Sequence, residues 1–198
     1  MIALLDYGAG NLTSVRKALS AVGAGYFTPS APADVTRASA IIVPGVGHFA
    51  ATKEIDAGWR RVILEAVERR VPLLGICLGM QYLFEGSDEA PDAPGLGLIP
   101  GRCRLIPPTV KVPHVGWNDL TVRRSSRILA NLSSPVQTYF THSYAAPVTP
   151  ETVATTTHGD TFASVVERDR IFGVQFHPEK SSAAGLSILR TFTCFPNA

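Results

Sequence analysis

Residues 72–81 read Pro72-Leu73-Leu74-Gly75-Ile76-Cys77-Leu78-Gly79-Met80-Gln81, or PLLGICLGMQ. An apolar run enters Gly75-Ile76-Cys77-Leu78-Gly79 and leaves as a helical pattern. It predicts a strand over 73–76, a sharp turn, and a helix over 80–85. Glycines at 75 and 79 suit a turn in which neighbouring backbone comes too close for side chains. Strand, Gly-x-Cys-x-Gly and helix together make the nucleophile-elbow pattern, with sulfur in place of hydroxyl. The turn sets Cys77 at a helix N-terminus, where the dipole and free N–H groups favour a negatively charged sulfur. The competing reading is a small buried cysteine packed between glycines, common for this residue type.

The same alternation continues outward. A strand is predicted over 2–5, a helix over 12–22, and a buried strand over 40–43 that ends at Pro44-Gly45. Residues 59–70 have helical spacing, with Trp59, Val62, Ile63, Ala66 and Val67 on one face. Strand and helix in alternation imply βαβ units and a parallel sheet. From Cys103 to Gln175 the pattern turns to strands, over 117–122, 137–143, 153–156, 163–167 and 171–176. Glu167-Arg168-Asp169-Arg170 between two apolar runs reads as a hairpin turn, so part of the sheet is antiparallel. A helix over 186–195 closes the chain. Nothing in residues 1–198 reads as a linker or a repeat, and the expectation is one three-layer α/β domain with a mixed sheet.

Composition narrows the function classes. The chain has 198 residues, 45% of them hydrophobic and 17% charged, enough for one substantial core. A net charge of +2, with basic pairs only at Arg69-Arg70 and Arg123-Arg124, argues against a nucleic-acid partner. Three well-separated cysteines, at 77, 103 and 194, encode neither a disulfide framework nor a zinc ribbon. With no leader-like segment and no apolar run of membrane length, a cytoplasmic protein is expected, with no metal and no cofactor.

A cysteine nucleophile needs a base, and the base needs an orienting group. The five histidines lie at 48, 114, 142, 158 and 177. His158, in Thr-His-Gly-Asp, looks like part of an exposed turn. His177 ends an apolar strand and precedes Pro178-Glu179. Proline forces extended geometry on the residue before it, so 177 and 179 project to similar sides. Glu179 can then hold one imidazole nitrogen while the other faces the thiol. Alone, His-Pro-Glu would read as a polar turn; paired with Gly-x-Cys-x-Gly at the carboxyl ends of strands, it reads as a site.

Acyl chemistry also needs donors for a developing oxyanion. Pro44-Gly45-Val46-Gly47 offers backbone N–H groups after the strand ending at Val43, and the Leu78 N–H directly follows the nucleophile. Gly8-Ala9-Gly10 is not a dinucleotide fingerprint, since position 13 is threonine and no acidic residue follows at the required distance. Asn11 suits a helix N-cap.

Several separate segments resemble one family. GICLGMQ (75–81) with FGVQFHPEKS (172–181) resembles the class I glutamine amidotransferases, and the order Cys77, His177, Glu179 fits across the whole chain. DYGAGN (6–11), PGVG (44–47), PHVGWN (113–118) and YFTHSY (139–144) resemble the branch of that family that serves histidine synthesis. The resemblance implies a flavodoxin-like, largely parallel α/β fold with Cys77, His177 and Glu179 as a triad hydrolysing L-glutamine. It implies an oxyanion strand at Gly45, Val46 and Gly47 that must reorient before donating. It also implies a grip on the amino-acid head by Gln81 and Glu89, and on its carboxylate by Ser143 and Tyr144. The implied partner is a separate (β/α)8 cyclase of the HisF type, forming a heterodimer that receives the ammonia, with Asn11, Trp117, Asn118, Tyr139 and Lys180 facing it. Gly116-Trp117-Asn118 reads as a displayed loop. Pyridoxal phosphate synthase and anthranilate synthase have glutaminases of the same family, but PHVGWN and PGVG point away from both. Cys103 and Cys194 match no family position and are read as packing residues.

Overall fold

The computed structural model describes residues 1–195. Its strands are β1 (Ile2–Leu4), β2 (Tyr26–Phe27), β3 (Ala40–Val43), β4 (Leu73–Ile76), β5 (Gly86–Ser87), β6 (Arg102–Leu105), β7 (His114–Val122), β8 (Val136–His142), β9 (Tyr144–Ala145), β10 (Thr152–His158), β11 (Asp160–Arg168) and β12 (Ile171–Val174). Its α-helices are α1 (Leu12–Ala21), α2 (Ala57–Glu68), α3 (Leu78–Leu83) and α4 (Ser182–Cys194).

Nine strands form one sheet in the order β2-β1-β3-β4-β12-β11-β10-β7-β8. The first five are mutually parallel, and the remaining four neighbour pairings are antiparallel. Each second antiparallel step restores the original direction, so only β11 and β7 run against the other seven. The sheet is mixed and largely parallel, and β1, β3, β4, β12 and β8 all present their carboxyl ends at one edge. That edge is where open α/β sheets place ligands. A small three-stranded sheet, β5-β6-β9, sits beside it.

Two apolar clusters cover the faces. Val15, Ala18 and Leu19 of α1 pack with Ile188, Leu189 and Phe192 of α4 against Leu4, Ile42, Leu74 and Phe172 on one side. On the other, Val62, Ile63 and Ala66 of α2 pack with Met80 and Leu83 of α3 against Ala3, Ile41 and Leu73. Alternate residues of β1, β3 and β4 go to opposite clusters and all are buried, which is why these strands are continuous apolar runs.

The starts of α2, α3 and α4 lie earlier than expected from the apolar pattern, while α1 begins at Leu12 as expected. Asp56 accepts the N–H groups of Gly58 (2.7 Å) and Trp59 (3.1 Å), so α2 begins at Ala57. Asn11 accepts the Ser14 N–H at 3.3 Å as the N-cap of α1. The hairpin at 167–170 is present, with Asp169 at φ 51° between β11 and β12. Two expectations are corrected. His158 is the last residue of β10, paired with Asp160, and only Gly159 is in the turn. Gly116-Trp117-Asn118 lies inside β7 rather than in a loop, paired with Phe140, Tyr139 and Thr138 of β8. Trp117 is nevertheless displayed, because this hairpin ends the sheet and leaves one of its faces uncovered.

Candidate active site

The elbow at the end of β4 is strained. Cys77 has φ 53° and ψ −108°, a conformation few non-glycine residues adopt, and α3 starts at the next residue. Its two glycines are sterically required. A Cβ on Gly79 would lie 1.8 Å from the Val43 carbonyl oxygen, and one on Gly75 would lie 2.5 Å from the Gly79 oxygen. Gln175 Nε2 donates to the Cys77 sulfur at 3.7 Å, and the Thr141 carbonyl lies 3.9 Å from it.

His177 and Glu179 follow β12, the strand next to β4. His177 Nδ1 donates to Glu179 Oε1 at 2.8 Å, and both side chains are almost wholly buried. The Ser181 hydroxyl donates to the His177 carbonyl at 2.7 Å and accepts the Tyr139 N–H at 2.9 Å, tying this segment to β8. Burial opposes the imidazolium, but the Cys77 sulfur and then the Glu179 carboxylate outweigh it and push the His177 pKa up to about 10. Its other nitrogen, Nε2, is buried and makes no complete hydrogen bond. That nitrogen can exchange a proton with the sulfur or with a leaving group.

The segment 44–47 follows β3. The Tyr7 hydroxyl donates to the Pro44 carbonyl at 2.8 Å and fills the space a Gly45 side chain would need. Burial raises the pKa of Tyr7, so its hydroxyl remains a donor. The Val46 N–H is engaged on the Ala9 carbonyl at 3.3 Å, and Gly47 has φ 96°. The Leu78 N–H belongs to the first turn of α3, where N–H groups lack intrahelical acceptors.

A cavity of about 240 Å³ opens above Cys77, lined by Gly47, Leu78, Gln81, Glu89, Ser143 and Tyr144 among others. It is smaller than the about 300–1,000 Å³ of drug-sized pockets and suits a small amino acid. Glu89 Oε2 accepts the Phe49 N–H at 2.8 Å. Both N–H groups of Gln81 Nε2 are used, on the Tyr144 carbonyl (2.8 Å) and on Gln175 Oε1 (3.2 Å). The remaining side-chain oxygens of Gln81 and Glu89 are acceptors, the chemistry an ammonium group needs. Among the described residues, no group of three His, Cys, Asp or Glu could hold a metal ion.

Gly45, Val46, His177 and Glu179 stand behind or beside this cavity rather than in its wall. Four residues not anticipated from sequence, Pro113, Thr141, His142 and Gln175, touch the pocket or the sulfur. A signal existed for Gln175: a carboxamide inside an apolar strand run needs a buried partner. Trp117 is 51% exposed and makes an edge contact with Tyr139 (6.1 Å), and Lys180 Nζ lies 5.8 Å from the same ring. Asn11 caps α1, which packs against the turn carrying Lys180. Asn118 turns to the opposite face from Trp117, towards His114 and the Thr157 carbonyl. Cys103 is fully buried, whereas Cys194 is exposed and is not a packing residue.

Residues 3–194 match the family model of glutamine amidotransferase class-I, and the chain belongs to that family. A solved glutamine amidotransferase superposes with a TM-score of 0.78 at 19% identity, covering 100% of this chain and 99% of that one. PurLQS from Thermotoga maritima superposes with a TM-score of 0.72 at 19% identity, covering 98% and 97%, a likeness of fold alone. Within the family the chain falls among the HisH glutaminase subunits of imidazole glycerol phosphate synthase. The subunit HisH of Deinococcus radiodurans is 46% identical over 197 residues, covering 96% of this chain and 92% of that relative. That of Pyrococcus furiosus is 44% identical over 194 residues, covering 96% and 97%. Among the described residues, no helix is long and apolar enough to cross a membrane.

Proposed function

We propose that residues 1–198 form one glutaminase domain in which Cys77, His177 and Glu179 hydrolyse L-glutamine. The observation carrying this reading is the strained Cys77 elbow beside a buried His177–Glu179 pair whose second imidazole nitrogen has no other partner. The Cys77 sulfur attacks the side-chain amide carbon, and the oxyanion is met by the Leu78 N–H and by a donor from Gly45–Gly47. His177 Nε2 passes its proton to the nitrogen, ammonia leaves, and a γ-glutamyl thioester remains. Water, deprotonated by the same nitrogen, then cleaves the thioester to glutamate and restores the thiol. Glu179 keeps the imidazole oriented throughout. Gln81 and Glu89 receive the α-ammonium, and Ser143 and Tyr144 flank the carboxylate.

Ammonia in neutral water is mostly protonated and non-nucleophilic, so it needs a dry route to its acceptor. The acceptor in this reading is a HisF-type (β/α)8 cyclase chain, in a cytoplasmic heterodimer. That cyclase converts PRFAR to imidazole glycerol phosphate and AICAR in histidine synthesis. The exposed Trp117 and Lys180, with the half-buried Tyr139 between them and Asn11 nearby, form the docking face, and Asn118 turns away from it. The Val46 N–H, held on Ala9, supports gating: the segment must swivel before Val46 can meet an oxyanion. Glutamate release should be slow for the chain alone and rise strongly with the cyclase and its nucleotide ligand. Cys77→Ala should abolish release yet still bind the cyclase; hydrolysis that survives the substitution removes Cys77 as nucleophile.

A further inference from the structure

The mechanism leaves unused a pair of buried histidines beside the pocket. His142 Nδ1 lies 2.9 Å from the Tyr144 carbonyl, and the His114 Nδ1 lies 3.1 Å from His142 Nε2. His114 Nε2 is in turn 3.2 Å from Asn118 Nδ2. Every direction in this chain is forced. A carbonyl only accepts, so His142 carries its proton on Nδ1 and accepts at Nε2. His114 must then donate from Nδ1, leaving its own Nε2 to accept from Asn118. The Asn118 amide is pinned the same way round, because its oxygen accepts the Asp119 N–H at 2.8 Å and its nitrogen also donates to the Thr157 carbonyl at 3.2 Å.

The chain does not stop at Tyr144. The same carbonyl accepts from Gln81 Nε2 (2.8 Å), which also donates to Gln175 Oε1 (3.2 Å), and Gln175 Nε2 donates to the Cys77 sulfur (3.7 Å). The geometry points to His114 and His142 as positioning residues that, as an Nδ1–H tautomer pair, fix the Tyr144 carbonyl. Through it they fix the orientation of the Gln81 and Gln175 amides in the glutamine pocket. In this orientation Gln81 keeps an oxygen for the substrate ammonium, and Gln175 turns an N–H rather than an oxygen to the nucleophile. An amide reversed at either place would put like partners face to face.

The packing is consistent with neutral imidazoles. His114 is stacked between Phe140 (4.8 Å) and His158 (4.2 Å), and the His142 ring is edge-on to Phe162 (5.1 Å). Burial holds His114 down at about 4 and His142 at about 3, so neither is charged at neutral pH.

The inference rests on the glutaminase reading of the pocket, but its first test does not. In the full chain with ¹⁵N-labelled histidine at pH 7, long-range ¹H–¹⁵N spectra should show both His114 and His142 as Nδ1–H tautomers. An Nε2–H tautomer at either residue overturns the proposal whatever the activity. The second test uses glutamine kinetics of the chain with its cyclase and nucleotide ligand. His142→Phe keeps a ring but no donor, and should raise KM for glutamine about 10-fold with kcat within about 3-fold. His142→Asn places an amide N–H where Nδ1 was, and should raise KM by no more than about 3-fold. Equal KM values, or Asn worse than Phe, would assign the pair to packing alone. A wild-type chain that fails to hydrolyse glutamine would instead count against the glutaminase reading, leaving the tautomer result to stand on its own.

Discussion

Gly79→Ala tests whether the elbow geometry underlies the proposed role of Cys77 as nucleophile. The new Cβ would stand 1.8 Å from the Val43 oxygen and 2.7 Å from its carbon. Ordinary contact begins near 3.4 Å, so the start of α3 must retreat about 1.6 Å (3.4 − 1.8) from the end of β3. The obstacle is backbone at the centre of the sheet, so no side chain can move aside to absorb the strain. Overpacking of this kind costs about 1–3 kcal/mol of stability. The catalytic loss should be larger in proportion, because the retreat carries the Leu78 N–H and Cys77 away from the end of β3. A misplacement of about 1 Å costs on the order of 100-fold. The assay is glutamate release with cyclase and nucleotide ligand present, alongside thermal unfolding. Gly25→Ala serves as the control, since its Cβ would meet only the Met1 side chain at 3.7 Å. The expected outcome is at least about 100-fold lower kcat/KM for Gly79→Ala with the fold retained, and little change for the control. A folded Gly79→Ala variant with more than about a tenth of wild-type kcat/KM would refute the steric argument.

Two further outcomes follow from buried charge. The folded pKa of His177, about 10, is raised above the unfolded value of 6.5, so the stability it contributes is complete below pH 6.5 and is lost as pH rises through about 10. The Tm advantage of wild type over His177→Gln should therefore shrink steadily from pH 7 to 10, and a flat difference across that window would contradict the assignment. Glu167, almost buried, accepts from the Ser126 hydroxyl (2.8 Å), the Arg127 N–H (3.0 Å) and Arg127 Nε (2.7 Å). Glu167→Ala should cost about 1–3 kcal/mol, or about 2–4 °C of Tm per kcal/mol, without affecting glutamine turnover. An unchanged Tm would show that these donors find water instead.

What could be read from the sequence divides by how local the determining contacts are. β3 and β4 were legible to the residue because each is an apolar run buried on both faces and bounded by proline, glycine or the elbow. The strained turn was legible too, because Gly75, Cys77 and Gly79 meet one another within five residues. His177 and Glu179 lie two residues apart, so their hydrogen bond follows from local geometry, although a 3-10 turn over Pro178–Lys180 makes it rather than the extended backbone expected. β2, only two residues long, and the small β5-β6-β9 sheet were not legible, because Arg102-Cys103-Arg104-Leu105 has no strand-like run and pairs with residues far along the chain. The same limit governs the site. Gln175 meets Gln81 across 94 residues and Cys77 across 98, and His142 meets His114 across 28. No periodicity links such positions; the parallel β4–β12 pairing and the β7–β8 hairpin do. The residues proposed to perform chemistry are thus recognisable as short motifs. The amides and imidazoles that orient them become visible only once the sheet has brought distant strands side by side.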